Sequence, residues 1–251
     1  MSTDDRRALI LEVLRALSAV SVAELARRTG VSESTIRRDL AEMEAMGLLR
    51  RTHGGAEAIP EVAAAPPAVS TRALEHDRIG QAIAERTPPG QSLVIDAGPI
   101  AERIAVHLRS RPGPLTVFTN SIPVALALAP TAHIVTLLTG GQIVHPSLTL
   151  TGYPAERMLQ DISVDAAILC PDGVDVRRGL FTADLPSVRV RQAMVRVARL
   201  VMVAVEHERI SSPALANYAS INAVHVIVTG SDLSQERAAE IRARGIELQL
   251  V

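Results

Sequence analysis

Near the start of the chain, Leu9, Ile10, Val13, Leu14 and Leu17 recur at helical spacing, which predicts a helix over 4–18. Ser21 then caps a second short helix, VAELARRTG, whose Gly30 suits the left-handed position that follows a helix. Ser32 or Ser34 caps a third helix, which runs to about Met46 before Gly47 ends it. LLRRTHGGAEAI follows, with Gly54 and Gly55 marking a hairpin turn. Three helices and a hairpin make one compact unit, assigned to residues 1–57.

The pattern then changes twice. EAIPEVAAAPPAVS is rich in Ala and Pro and has no clear period, so 58–70 reads as a semi-rigid linker. From 71 to 251, short apolar runs alternate with helix-like stretches. The runs are SLVID, LTVFT, HIVTLLT, DAAILC, LVMVAVE, VHVIVTG and IELQLV. Between them lie EHDRIGQAIAERT, IAERIAVHL, IPVALALA, VRVRQAMVRVAR and QERAAEIRAR. Continuous aliphatic strands alternating with helices predict an α/β domain with a mostly parallel sheet covered on both faces.

Composition narrows the chemistry. Of 251 residues, 47% are apolar but only 2% aromatic, with no Trp, so the core is aliphatic and a stacking platform for single-stranded bases is disfavoured. All 26 basic residues are arginines, which excludes a lysine Schiff base and a P-loop lysine. The single cysteine, Cys170, excludes an internal disulfide and a multi-thiolate zinc site; it reads as a buried thiol at a strand end. The seven histidines are scattered, so no metal site is expected, and no cofactor. MSTDDRRALI has acids ahead of its apolar residues, unlike a secretory signal, and no apolar run approaches the roughly 20 residues of a membrane span. A soluble, cytoplasmic protein without membrane contact is expected.

The net charge of −1 gives no global basic field, so any nucleic-acid site must be local. Residues 1–57 hold nine arginines and nine acids, so this unit is formally neutral and must segregate its charge onto one face. The short helix, tight turn and third helix match helix-turn-helix geometry, in which the third helix enters the DNA major groove. In SESTIRRDL, Ile36 and Leu40 face the small core, and Ser32, Ser34 and Thr35 are short donors for phosphates. Arg37 can fork onto guanine or phosphate, with Arg38 beside it. Arg50, Arg51 and His53 sit on the hairpin, a wing that reaches adjacent backbone or minor groove. The competing reading is a solvated helix whose Arg37 and Arg38 pair with Asp39, Glu42 or Glu44.

The stretch RRALILEVLRALSAVSVAELARRTGVSESTIRRDLAEMEAMGLLRRTHGGA resembles the winged-helix domain of the DeoR family of bacterial transcription regulators, through the paired Arg near its start, VSESTIRRDL, and GLLRRTHGGA at the expected distance. The resemblance extends over nearly all the remaining chain. It implies an effector-sensing domain similar in fold to sugar-phosphate isomerases and CoA transferases, with ligand loops after parallel strands. The matching loops are IDAG (95–98), FTNS (118–121), LTGGQ (138–142) and CPDGVD (170–175). They nominate Asp96, Gly98, Thr119, Asn120, Ser121, Gly140, Gly141, Asp172, Gly173 and Asp175, the glycines for close backbone approach and Thr119, Asn120 and Ser121 as donors. Singly, each loop is a plain turn; four in one α/β domain favour a ligand crevice. Glu206 and Arg209 fall where the family has an Asp and a Lys. Two departures bear on the effector. The family's Gly followed by two threonines is Gly98-Pro99-Ile100 here, which has no hydroxyl and lacks the amide proton of Pro99. A glutamate often found before VRQAM is Ser187.

The resemblance thus implies a repressor of a catabolic operon, binding operator DNA as a homodimer or homotetramer and answering a phosphorylated sugar or related metabolite. A rival reading is an isomerase-like enzyme with a DNA-binding appendage, using Asp96, Asp172, Asp175 or Glu206 as general acid or base. The missing lysine and the absence of an evident nucleophile–base pair weigh against it, so no catalytic residue is assigned. A third reading has a vestigial crevice, with regulation through partner proteins. Two blander expectations complete the picture: Glu206-His207-Glu208-Arg209 as an exposed charged loop, and Arg189, Arg191, Arg196 and Arg199 as the solvated side of a helix whose Val190, Met194, Val197 and Ala198 face inward.

Overall fold

The computed structural model describes residues 6–7, 9–11, 13–14, 19–45, 49–52, 54–57 and 71–251. The chain divides into two compact units, Met1–Ser70 and Thr71–Val251. The expected linker at 58–70, the stop at Gly47 and His53 lie outside the described residues.

In the first unit, residues 6–7, 9–11 and 13–14 are helical, with Ile10, Val13 and Leu14 buried. Strand β1 (Ala19–Ser21) leads into α1 (Val22–Thr29), then α2 (Glu33–Ala45), β2 (Arg50–Thr52) and β3 (Gly55–Glu57). The Ser21 hydroxyl accepts from the Glu24 amide at the start of α1, and Gly30 closes α1 at φ 71° with its amide on Ala26 O. Ser32 rather than Ser34 caps α2, its Oγ accepting from the Thr35 amide at 3.3 Å. Leu25, Ile36, Leu40 and Met43 join Ile10 and Leu14 in one aliphatic core. The expected hairpin gains a third strand: β3 is central, antiparallel to both β2 and β1. A three-residue strand such as AVS carries too little alternation to be seen in sequence.

The second unit is built on seven parallel strands. These are β4 (Ser92–Ile95), β5 (Leu115–Thr119), β6 (Ile134–Leu138), β9 (Val164–Leu169), β12 (Ala198–Ala204), β14 (Val226–Thr229) and β15 (Glu247–Leu250), in the order β15-β14-β12-β9-β4-β5-β6. Each corresponds to one of the apolar runs. Alternate residues of a strand enter opposite layers. Val94, Ala167, Leu169, Val201 and Val203 pack with α6 (Tyr153–Gln160), α7 (Val188–Val197) and α8 (Gln235–Arg242). Leu93, Ile95, Ala166, Ile168 and Met202 pack with α3 (Thr71–Glu85), α4 (Pro99–Arg109) and α5 (Ile122–Leu128). Burial on both faces explains why β4, β9, β12 and β14 read as nearly unbroken aliphatic runs, while the edge strands β6 and β15 stay partly exposed.

Helix α6 is absent from the sequence expectation; Ala155 and Leu159 are its buried residues. The small strands, three or four residues each, are too short to show a pattern: the hairpin β7 (Gln142–Val144) and β8 (Thr149–Thr151), and a sheet of β10 (Gly173–Asp175), β11 (Gly179–Thr182) and β13 (Ala216–Ala219). Among the described residues, no helix is long and apolar enough to cross a membrane. From the middle of the large sheet, β4-β5-β6 run outward one way and β9-β12-β14-β15 the other. The loops at the carboxyl ends of β4 and β9 therefore diverge, which opens a crevice there.

Candidate functional site: a DNA-reading helix and an effector cavity

In the first unit the polar face of α2 is open. Ser32, Ser34, Arg37 and Arg38 are exposed and Thr35 is half-buried, while Ile36 and Leu40 are buried. The Ser32 hydroxyl lies 2.8 Å from that of Ser34 and 2.9 Å from that of Thr35. Arg37 donates to Glu33 at 2.9 Å, and Arg38 lies 3.6 Å from Glu42. On the wing, exposed Arg50 pairs with Glu57, and the Arg51 amide donates to Glu44 at 2.8 Å. Asp39 takes no part in this face. It is buried and accepts from Arg6 at 2.6 and 3.2 Å, tying the first helix to α2. The pairs made by Arg37, Arg38 and Arg50 are solvent-exposed and worth about 0–1 kcal/mol each, so they yield readily to a phosphate.

The second unit holds a cavity of about 230 Å³ at the crevice. Gly98, Pro99 and Ile100 from the end of β4 form one wall, and Cys170, Pro171 and Asp172 from the end of β9 another. Glu206 and Arg209 from the end of β12 join them, with Ser147, Thr149, Asp184 and Arg191. Of the expected effector residues, Gly98, Asp172, Glu206 and Arg209 therefore share one cavity. Asp96 lies fully buried next to it, with Oδ2 accepting from the Cys170 amide at 3.1 Å.

The remaining candidates are placed elsewhere. Thr119, Asn120 and Ser121 are buried and hold the chain together. Thr119 Oγ1 accepts from the Ser121 amide, Ser121 Oγ caps α5 through the Val124 amide, and the Asn120 amide group donates to Leu150 O. Gly140 and Gly141 are exposed where β6 leads into β7. Gly173 admits a close backbone approach, since a Cβ there would lie 2.0 Å from Ser212 O. Asp175 closes a turn by accepting from the Arg177 and Arg178 amides at 2.8 and 2.9 Å.

Two expectations require correction. Arg191 is not on the solvated side of α7; it is 7% exposed and its Nε donates to Asp96 at 3.1 Å. Arg189 and Arg196 are exposed as expected, but the helix ends at Val197: Ala198 and exposed Arg199 belong to β12, and Val197 and Ala198 are only half-buried. Glu206 is not an exposed loop residue either. Its Oε1 accepts from Arg72 at 2.8 and 3.0 Å and lies 2.8 Å from His76 Nε2, while Oε2 lies 2.6 Å from Arg209 Nε. The two arginines, with the His76 hydrogen bond beside them, offset the cost of burying the carboxylate.

A chain of alternating charges runs along the cavity through Arg191, Asp172, Arg209 and Glu206, and continues outside its lining to Asp96 at one end and Arg72 at the other. Burial works to raise the pKa of Glu206, but the hydrogen bonds from His76 and Arg72 and the charges of Arg209 and Arg72 hold it down at about 2. Burial likewise opposes ionisation of Asp172. The Ala183 amide, the charge of Arg191, the Thr182 hydroxyl and Arg209 nevertheless hold it below the ordinary carboxylate range. Burial raises the Cys170 thiol well above its usual value, so this lining sulfur is a thiol and not a nucleophilic thiolate. Among the described residues, no group of three or more His, Cys, Asp or Glu is placed to hold a metal ion. Sequence reasoning passed over Asp184, Ser147 and Thr149 of the lining, and Arg72 and His76 behind Glu206, because none stands in a glycine-rich loop; only the return of the chain brings them in.

Comparison with known proteins follows the division into two units. Residues 6–62 match the DeoR-like helix-turn-helix domain, and residues 71–231 match the DeoR C terminal sensor domain. The transcriptional repressor AccR of Agrobacterium fabrum is 34% identical over 92% of this chain and 90% of its own. The glycerol-3-phosphate regulon repressor of Escherichia coli is 31% identical over 91% of each chain. Among solved structures, ribose 5-phosphate isomerase A from Neisseria gonorrhoeae is 12% identical, covering 54% of this chain and 52% of its own at a TM-score of 0.39. With its helix-turn-helix unit and its α/β unit both matched, the chain belongs to the DeoR family of transcription regulators.

Proposed function

We propose that this chain is a cytoplasmic repressor of a catabolic operon, and that a small metabolite in the 71–251 domain, a phosphorylated sugar or related compound, modulates operator binding by the 1–57 domain. Residues 58–70 link the two. The observation that carries this reading is the family-matched recognition helix, α2, with Ser32, Ser34, Arg37 and Arg38 turned outward on a core of Ile36 and Leu40. The wing residues Arg50 and Arg51 add backbone contacts, and His53 belongs to the same set. The printed role of the E. coli relative, repression of a glycerol-3-phosphate regulon, supports a phosphorylated effector.

Gly98, Asp172, Glu206 and Arg209 are the proposed effector contacts, with Asp96 behind them and Thr119, Asn120, Ser121, Gly140, Gly141, Gly173 and Asp175 shaping the loops. Two chains on a two-fold operator fit the geometry of helix-turn-helix recognition, so a homodimer or homotetramer is the expected binding form. The role is regulatory, with no catalytic residue and no cofactor. For a metabolite to regulate, it must prefer the DNA-bound or the free conformation.

Mobility shifts of the promoter next to the protein's own gene test this reading. Specific retardation at low salt is expected, reduced about 10-fold or more in Arg37→Ala with the fold intact. Absence of specific retardation at any protein concentration would remove the function. Turnover of ribose 5-phosphate by the purified protein, lost in Asp172→Ala, would replace it with the enzyme reading.

A further inference from the structure

Arg191 contributes the one lining cation held almost wholly inside the protein, at 7% exposure. Its Nε is engaged by Asp96, yet its Nη1 is buried without any hydrogen bond. Asp172 Oδ2 lies 3.5 Å from Nη1. That oxygen is held back by other donors: Thr182 Oγ1 at 3.0 Å and the Ala183 amide at 2.9 Å. A buried charged donor left open is costly, and the cost is relieved when an acceptor enters. Across Asp172, the second lining arginine presents its own fork: Arg209 Nη1 donates to Asp172 Oδ1 at 3.0 Å and to Asp172 O at 3.3 Å.

The loop after β4 is poorly equipped for an anion by comparison. Gly98 heads α4 with no side-chain cap, and Pro99 has no amide proton. The Ala101 amide, two residues after Pro99, is directed to the Cys170 sulfur. Neither Pro99 nor Ile100 carries a hydroxyl.

We propose that the anionic oxygens of the effector are held by Arg191 Nη1 together with Arg209, on the Asp172 side of the cavity, and not by the Gly98-Pro99-Ile100 loop. This rests on the reading of the cavity as the effector site. The ligand class is a small hydroxylated oxyanion, a phosphate ester or a carboxylate. Its hydroxyls face the Ser147–Thr149 hydroxyl pair, 2.9 Å apart, and the Asp184 carboxylate. Asp172 competes with the ligand for both arginines, so it sets the affinity and rejects weak anions.

The test is thermal shift of the full chain against inorganic phosphate, ribose 5-phosphate, gluconate and neutral ribose, each titrated to saturation. The wild-type protein is expected to respond to phosphate and to at least one of the two organic anions; which of them binds more tightly separates phosphate ester from carboxylate. Arg191→Lys keeps a charge for Asp96 but loses the second arm, and is expected to weaken anion binding at least 10-fold. Asp172→Asn, at a partly exposed position, is expected to tighten it several-fold, and stands as the informative variant if Arg191→Lys fails to fold. Unchanged anion affinity in Asp172→Asn overturns the proposal. So does a Pro99→Thr/Ile100→Thr variant that binds phosphate more than 10-fold tighter while Arg191→Lys binds as wild type. A response to neutral ribose alone, or to none of the four, overturns the oxyanion assignment. Specific operator retardation, measured in parallel on the same proteins, reports separately on the function proposed above.

Discussion

At the end of β12, Glu206 divides its carboxylate between two parts of the sensor unit. Oε1 faces Arg72 and His76 on α3, and Oε2 faces Arg209 in the cavity. Its pKa of about 2, against an ordinary 4.5, is a statement about stability. The unfolded chain takes up the proton first as the pH falls, so the ionised group's contribution is complete above about pH 4.5 and is lost as the pH drops towards 2. A shift of this size corresponds to about 3 kcal/mol. Glu206→Gln should therefore be less stable than wild type by about 2–3 kcal/mol at pH 7 in denaturant titrations. The gap should narrow progressively below about pH 4.5; a gap that stays constant down to pH 3 would show that the loss is steric and not electrostatic. At this scale the sequence was legible only in part. The position of Glu206 could be matched, but its environment depends on Arg72 and His76, more than 100 residues earlier in the chain. A separation of 95 residues hid Arg191 in the same way: its partner Asp96 follows β4, so a helix pattern that sends every arginine to water misplaced it.

Elements were legible where burial imposed a period. The inner strands β4, β9, β12 and β14 are aliphatic runs because both faces are covered, and the helices α3, α4 and α7 show a buried stripe. The wing shows how a correct reading can rest on an incomplete reason. Gly54 and Gly55 read as turn residues, yet only Gly54 occupies the turn; Gly55 opens β3 opposite Ser21 and Thr52. A Cβ on Gly55 would lie 2.0 Å from the Val20 carbonyl oxygen, so the glycine is required by the close approach of β1, the strand the sequence did not disclose. Gly55→Val should push β1 and β3 apart at a cost of about 1–3 kcal/mol. The expected result is a lower melting temperature for an isolated 1–57 transition in calorimetry, with weaker operator retardation, while the sensor transition stays where it was. Gly54→Ala, with no heavy atom within 4 Å of the added carbon, should be nearly silent in the same measurement.

Over the whole molecule the charge nearly cancels, at −1 formally, and the DNA-reading unit has no surplus of its own. The exposed arginines of α2 and the wing are each answered by a local carboxylate: Arg37 by Glu33, Arg38 by Glu42, Arg50 by Glu57 and Arg51 by Glu44. DNA binding in the proposed function therefore exchanges four carboxylate partners for phosphates instead of adding charge to a basic surface. Such an arrangement keeps non-specific affinity low, because a phosphate backbone alone must compete with carboxylates already in place, while a base contact tips the balance. Removing those competitors should reverse this. Glu33→Gln/Glu42→Gln/Glu57→Gln is expected to tighten binding to random-sequence duplex by about 10-fold or more at low salt, with a smaller gain on the operator, so that specificity falls. The salt dependence should hold its slope, about −3 to −4 per bound DNA-reading unit if all four arginines meet phosphates, since the carboxylates change affinity and not the number of counterions released. Fluorescence anisotropy across a salt series on both duplexes measures all three quantities. Equal gains on random and operator DNA would mean that the glutamates only repel the duplex at long range, and that the ion pairs on α2 and the wing do not gate its reading.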